Sequence, residues 1–160
     1  MRIGLLAANI AGCAALQLGL ARMFVLMPCG WFERDGFWGR ECFGELLVYR
    51  RWLRVRRWKG LLPDGAALVG SSFRKGIPSR NAASLQRFLV ETRRGEAAHW
   101  AMILCTPIMF LWNPGWACIT LMTYAVAANA PCIVVQRYNR FVLLRILGVC
   151  TRPHPGQLRG

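Results

Sequence analysis

The pattern of apolar runs and charges predicts an all-α integral membrane protein. About three transmembrane helices are expected, with an amphipathic interfacial helix in the connector between the first and second. Of the 160 residues, 55% are hydrophobic and 18% charged, a balance too oily for an ordinary soluble domain. Apolar runs long enough to cross a bilayer lie near the start and in the second half. The net charge of +14 sits between those runs and after them.

The first span is expected over residues 3–27, where the only charged residue is Arg22, close enough to the end for its side chain to reach the interface. The apolar stretch is longer than the roughly 7 to 15 residues of a signal-peptide core, so a retained anchor is expected. Residues 28–96 then hold all seven acids and fourteen of the 21 bases. Within them Arg50, Arg51, Arg54, Arg56 and Arg57 alternate with Leu46, Leu47, Trp52 and Leu53. At helical spacing this gives a basic face beside an apolar one, the pattern of a helix lying in the headgroup layer. Its arginines suit lipid phosphates or an anionic substrate.

Leu62-Pro63-Asp64-Gly65 reads as a turn, and Gly76-Ile77-Pro78 as a second break. A helix starting near Asn81 or Ser84 should run into the second span, 97–112. Asn113-Pro114-Gly115 is a tight uncharged turn, so the third span, 116–135, must return antiparallel. Pro107 and Pro131 fall inside these spans, and each leaves a carbonyl short of its partner, so kinks are expected. Residues 1–150 read as a single membrane-embedded unit and 151–160 as a flexible tail. Lys and Arg crowd the connector and the end of the chain, which favours a multi-pass protein of the cell membrane with the N-terminus outside and the connector and C-terminus cytoplasmic.

The seven cysteines include no CxxC pair, and Cys13, Cys105, Cys118 and Cys132 lie in apolar runs as small buried hydrophobes. No metal site is expected. Nucleic acid is not an expected partner either, because the spans leave no independent basic domain of normal size.

Two constellations can carry chemistry. Thr92, His99 and Thr106 share one helical face, with Glu96 about 60° and Glu91 about 80° from His99. A carboxylate one turn from an imidazole, where a wet helix enters a dry one, suits a general base with its orienter. The plainer reading makes His99 and Trp100 interface residues. The second constellation, Gln136-Arg137-Tyr138-Asn139-Arg140, follows the third span. The hairpin should bring it near Glu96 and His99, where arginines, an amide and a phenol could bind a phosphate or carboxylate or steady an oxyanion.

At these residues the sequence resembles the glycosyl-4,4'-diaponeurosporenoate acyltransferase family of bacterial carotenoid-glycoside acyltransferases. The likeness is carried by Val55-Arg56-Arg57-Trp58-Lys59 with Leu62-Pro63-Asp64-Gly65, by Glu91-Thr92-Arg93-Arg94 with Glu96 and His99-Trp100, and by Asn129, Pro131 and the 136–140 block. It covers roughly residues 31–147, in order, and departs from the family's pattern at Phe141, where Pro is expected, and in its richer arginine content.

The resemblance implies transfer of a fatty acyl group to a sugar hydroxyl of a membrane-dissolved glycolipid or carotenoid glycoside. On the matched positions, His99 with Glu96 or Glu91 becomes the catalytic candidate. Arg137, Asn139, Arg140, Gln136 and Tyr138 become substrate-binding candidates, joined by Arg94, Arg57, Trp58 and Asp64. No resident cofactor is expected; an acyl donor such as a coenzyme A thioester enters as co-substrate. The competing expectation is a non-catalytic module that binds anionic membrane lipids or scaffolds a pathway.

Overall fold

The computed structural model describes residues 3–33, 44–62 and 81–148. Among them every regular element is helical: α1 (Ile3–Leu26), α2 (Glu45–Leu47), α3 (Val55–Trp58), α4 (Ala82–Cys105) and α5 (Gly115–Ile146), joined by 3₁₀ turns and one π turn. Asp64, the 76–78 break and the tail lie outside the described residues.

Helices α1, 24 residues, and α5, 32 residues, are long and apolar enough to cross a membrane. At 1.5 Å per residue α5 measures about 48 Å against about 30 Å of hydrocarbon. Ile3, Ile10, Leu26, Leu104, Leu111 and Ile119 are all more than 60% exposed. Such a surface calls for an apolar surrounding rather than water, which associates the chain with a membrane.

The expected span at 97–112 takes a different form. Asn81 caps α4 by accepting the Ser84 N–H at 2.8 Å, and the helix runs through a charged first half to Cys105. Residues Thr106–Leu111 then form a 3₁₀ segment. The cause is Pro107, whose missing N–H cannot continue the α ladder, while the Thr106 N–H tightens onto the Ile103 carbonyl. The expected end at residue 135 is also exceeded, since α5 continues through Pro131 and carries the 136–140 block on the same helix. Cys105 is exposed rather than buried.

Helix α4 sits at the centre, packed on α1 and on α5. Both neighbours run opposite to it. At one end Asn9 of α1 and Asn113 of the 113–115 turn form a reciprocal amide pair at 2.7 and 2.8 Å. Trp112 Nε1 also donates to Asn9 Oδ1 at 3.0 Å. At the other end Arg94 Nη2 donates to the Met27 carbonyl at 3.3 Å and to Cys29 Sγ at 2.9 Å. Arg93 Nη1 donates to the Phe32 and Glu33 carbonyls at 3.1 and 2.7 Å. Two arginines of α4 thus satisfy the chain end that leaves α1, where helix carbonyls run out of partners.

The interfacial helix expected across 43–58 is broken into pieces. Only Leu46 of its expected apolar face is buried, while Leu47, Trp52 and Leu53 are exposed. After α2 the chain widens into a π turn over Val48–Trp52. It then passes through Arg54 in the left-handed region at φ 46° before α3 begins. Trp58 Nε1 fastens the break by donating to the Leu53 carbonyl at 2.8 Å. The reason lies in the core: Leu46 and Val55, both fully buried, pack with Tyr138, Phe141 and Leu144. Nine residues apart on a straight helix they would point about 180° away from each other. Burying both against α5 therefore requires the bend.

The amide cluster yields a test. Asn9→Leu strips partners from Trp112 Nε1 and Asn113, so a loss of about 1 to 3 kcal/mol is expected for buried polar groups left unpaired. Unfolding of the detergent-solubilised protein reads this, and an unchanged midpoint would show that the cluster does not hold α1 to the hairpin.

Candidate functional site

Where α4 and α5 cross near their watery ends, Gly95 lets them approach closely. A Cβ on Gly95 would lie 2.9 Å from Gln136 Nε2, so the Gln136 side chain occupies the space that glycine leaves. One turn on, His99 Nδ1 is 2.8 Å from Asn129 Oδ1. Asn129 is 2% exposed and donates its Nδ2 to the Ala125 carbonyl at 2.9 Å. Its Oδ1 can only accept, so the proton sits on His99 Nδ1 and the Nε2 lone pair is free to act as a base. The imidazole is oriented by an amide of the facing helix rather than by Glu96 or Glu91. Thr92 and Thr106, predicted on the same face, are buried and turn their hydroxyls to the Leu89 and Met102 carbonyls, each at 2.7 Å.

Both carboxylates are engaged with arginine instead. Glu91 Oε1 lies 3.0 Å from Arg94 Nη1; burial pushes its carboxyl above the usual range while Arg94 pulls it back. Glu96, 1% exposed, pairs with Arg140, 0% exposed, and its other oxygen is 3.5 Å from Arg137 Nη1. Arg137 in turn grips Glu45 of α2 through Nε at 2.7 Å and Nη2 at 3.1 Å. The Tyr49 hydroxyl donates to the same carboxylate, and burial, followed by that hydrogen bond, raises the phenol's pKa. Two acids and two arginines thus form one network joining the connector, α4 and α5. Such bidentate geometry suits the planar guanidinium. Arg140 keeps Nε and Nη2 without a hydrogen-bond partner among the described residues.

The other predicted binding residues divide by place. Asn139 accepts from Lys59 Nζ at 3.0 Å, and the same ammonium stands 5.2 Å over the Tyr138 ring. Burial, then the charge of Arg56, lowers the Lys59 pKa. Trp58 spends its indole on the backbone break and Arg94 on the end of α1. Arg57 is exposed, away from the buried network. Among the described residues no group of three or more His, Cys, Asp or Glu gathers to hold a metal.

Sequence reasoning did not single out Glu45 or Tyr49, and Lys59 and Asn129 entered only through the resemblance. Asn129 had a signal of its own, an amide deep inside an apolar helix, where polar groups are costly and take partners. Glu45 had none, because its arginine lies 92 residues away.

The fold and site define a membrane-associated helical protein with an oriented imidazole and a buried ion network on the same helix. The family model for glycosyl-4,4'-diaponeurosporenoate acyltransferase matches residues 28–149. Proteins of that name from Staphylococcus aureus strains bovine RF122 / ET3-1, USA300 and NCTC 8325 / PS 47 are each 33% identical over 142 residues, covering 86% of this chain and 84% of theirs. The chain therefore belongs to the glycosyl-4,4'-diaponeurosporenoate acyltransferase family, and it is an acyltransferase. No solved structure matches it.

The ion network yields a second test. Glu96→Ala leaves a fully buried guanidinium without its counter-charge, a change that typically costs about 3 to 5 kcal/mol. Denaturant unfolding in detergent should show that loss, and a cost below about 1 kcal/mol would mean the pair does not anchor the helices.

Proposed function

We propose that this chain transfers a fatty acyl group to a sugar hydroxyl of a glycosylated carotenoid, or of a related glycolipid, held in the membrane beside α4 and α5. The observation that carries the reading is the 2.8 Å contact between His99 Nδ1 and Asn129 Oδ1, which leaves Nε2 as the base. The relatives' name supplies the substrate class: a glycosyl-4,4'-diaponeurosporenoate is a sugar on a carotenoid acid.

The residues act in order. Nε2 takes the proton of the acceptor hydroxyl as its oxygen attacks the donor's acyl carbonyl, forming the new C–O bond. The tetrahedral oxyanion then collapses, the donor's leaving group departs with its electron pair, and the imidazolium returns the proton to it. Asn129 keeps the ring in the required tautomer throughout. The oxyanion's donor in this reading is Arg140, whose buried Nε and Nη2 have no hydrogen-bond partner among the described residues. Arg137 and Glu45 fix the wall of the site.

In this reading the chain crosses the membrane three times, with residues 97–112, the end of α4 and its 3₁₀ extension, as the middle crossing. The 115–135 part of α5 fills the hydrocarbon, and the 136–146 part stands in the headgroup layer with the connector. The connector lies on the cytoplasmic side and the start of α1 outside, following the arginine distribution.

His99→Ala should lower turnover by about 10² to 10⁴, the usual worth of a general base, with membrane insertion intact. Asn129→Leu should follow it part of the way. Lipid mass spectrometry of cells expressing each variant reads the acylated glycolipid. Wild-type levels with His99→Ala would refute the role.

A further inference from the structure

The bend at Arg54 has a second product. Arg50, Arg51, Arg54, Arg56 and Arg57 line one open concavity of about 600 Å³. All five are exposed, and among the described residues none is paired with a carboxylate. On a straight helix Arg54 and Arg56 would face about 200° apart. The π turn and the left-handed Arg54 fold the two ends toward each other, so five like charges converge where repulsion alone would spread them. Lys59, next along the chain, already feels the field of Arg56.

We propose that this concavity is a polyphosphate site that takes the phosphates of a coenzyme A thioester, the acyl donor of the reaction proposed above, on which this assignment rests. Charge decides between sources of phosphate. One anionic phospholipid headgroup brings a single negative charge for five guanidiniums. Coenzyme A brings about four, two from its diphosphate and about two from its phosphomonoester. Planar guanidiniums hold such oxygens in pairs, and the volume falls within the roughly 300 to 1,000 Å³ of small-molecule sites.

Position fits as well. Lys59, two residues past Arg57, holds Asn139, and Asn129, the partner of His99, lies ten residues back along α5, about 15 Å. A donor whose phosphates and thioester are separated by a flexible arm bridges that kind of gap. The transfer then balances: the C–O bond forms, the C–S bond breaks, and the thiolate leaves and takes the proton from the His99 imidazolium.

The test uses the purified full chain in phosphatidylcholine nanodiscs, with calorimetric titration of coenzyme A itself, so that binding is read apart from turnover. Coenzyme A should bind, more weakly as salt rises, and dephospho-coenzyme A should bind less well. The combined variant Arg50→Gln, Arg54→Gly, Arg57→Gln should lose affinity by about tenfold or more. Its helicity should match the wild type, because the three side chains are exposed and glycine accepts the φ of Arg54. His99→Ala should bind as the wild type does. Arginine-dependent binding in a protein that transfers no acyl group would leave this site standing and remove the reaction. Equal affinity in the arginine variant overturns the proposal. So does an absence of coenzyme A binding alongside arginine-dependent attachment to phosphatidylglycerol vesicles, which would assign the concavity to lipid headgroups.

Discussion

The pairing of Glu96 with Arg140 is the constraint on which the rest of the site depends. A guanidinium with no exposure is tolerable only with a counter-charge at hand, because removing an ion from water costs several kcal/mol. Glu96 supplies that charge from the facing helix and extends it to Arg137, which is held from the far side by Glu45. The result fixes the register of α4 against α5. On the same pair of helices His99, three residues past Glu96, meets Asn129, which lies eleven residues before Arg140 on α5.

A second consequence reaches the connector. Glu45 can grip Arg137 only if α2 lies on α5, and Leu46 and Val55 reinforce that by filling the space around Tyr138 and Phe141. Both apolar anchors must face inward, so the backbone bends between them, and the bend turns a run of arginines into a concave basic surface. Burial of two aliphatic side chains and presentation of five cations are in this sense one structural event. The left-handed conformation at Arg54 is its local cost.

The opposite end of the bundle works by neutral chemistry. Asn9, Trp112 and Asn113 satisfy one another where α1 meets the turn, and among the described residues no charge takes part there. Hydrogen-bonded amides are well suited to such a place, because a buried amide needs partners but does not carry the desolvation cost of an ion. The charged network is built on Glu96, inside α4, and the neutral one lies past the end of α4, beyond the 3₁₀ segment Thr106–Leu111.

The all-helical class, the apolar character of α1 and α5, the start of α4 at Asn81 and the antiparallel hairpin were legible in the residues. Each is a local matter of hydropathy over a window, a capping side chain or a tight Asn-Pro-Gly turn. The prominence of His99 and of the 136–140 block was legible too, since few polar residues interrupt so apolar a half. Partner choice was not. Helical spacing offered His99 the carboxylates of its own helix, yet its neighbour is an amide thirty residues away, and Glu96 turned to arginines more than forty away. Periodicity describes one helix at a time and says nothing of the register between two. The bend at residues 48–54 escaped for the same reason: it answers a packing demand from α5, so only the tertiary structure decided it.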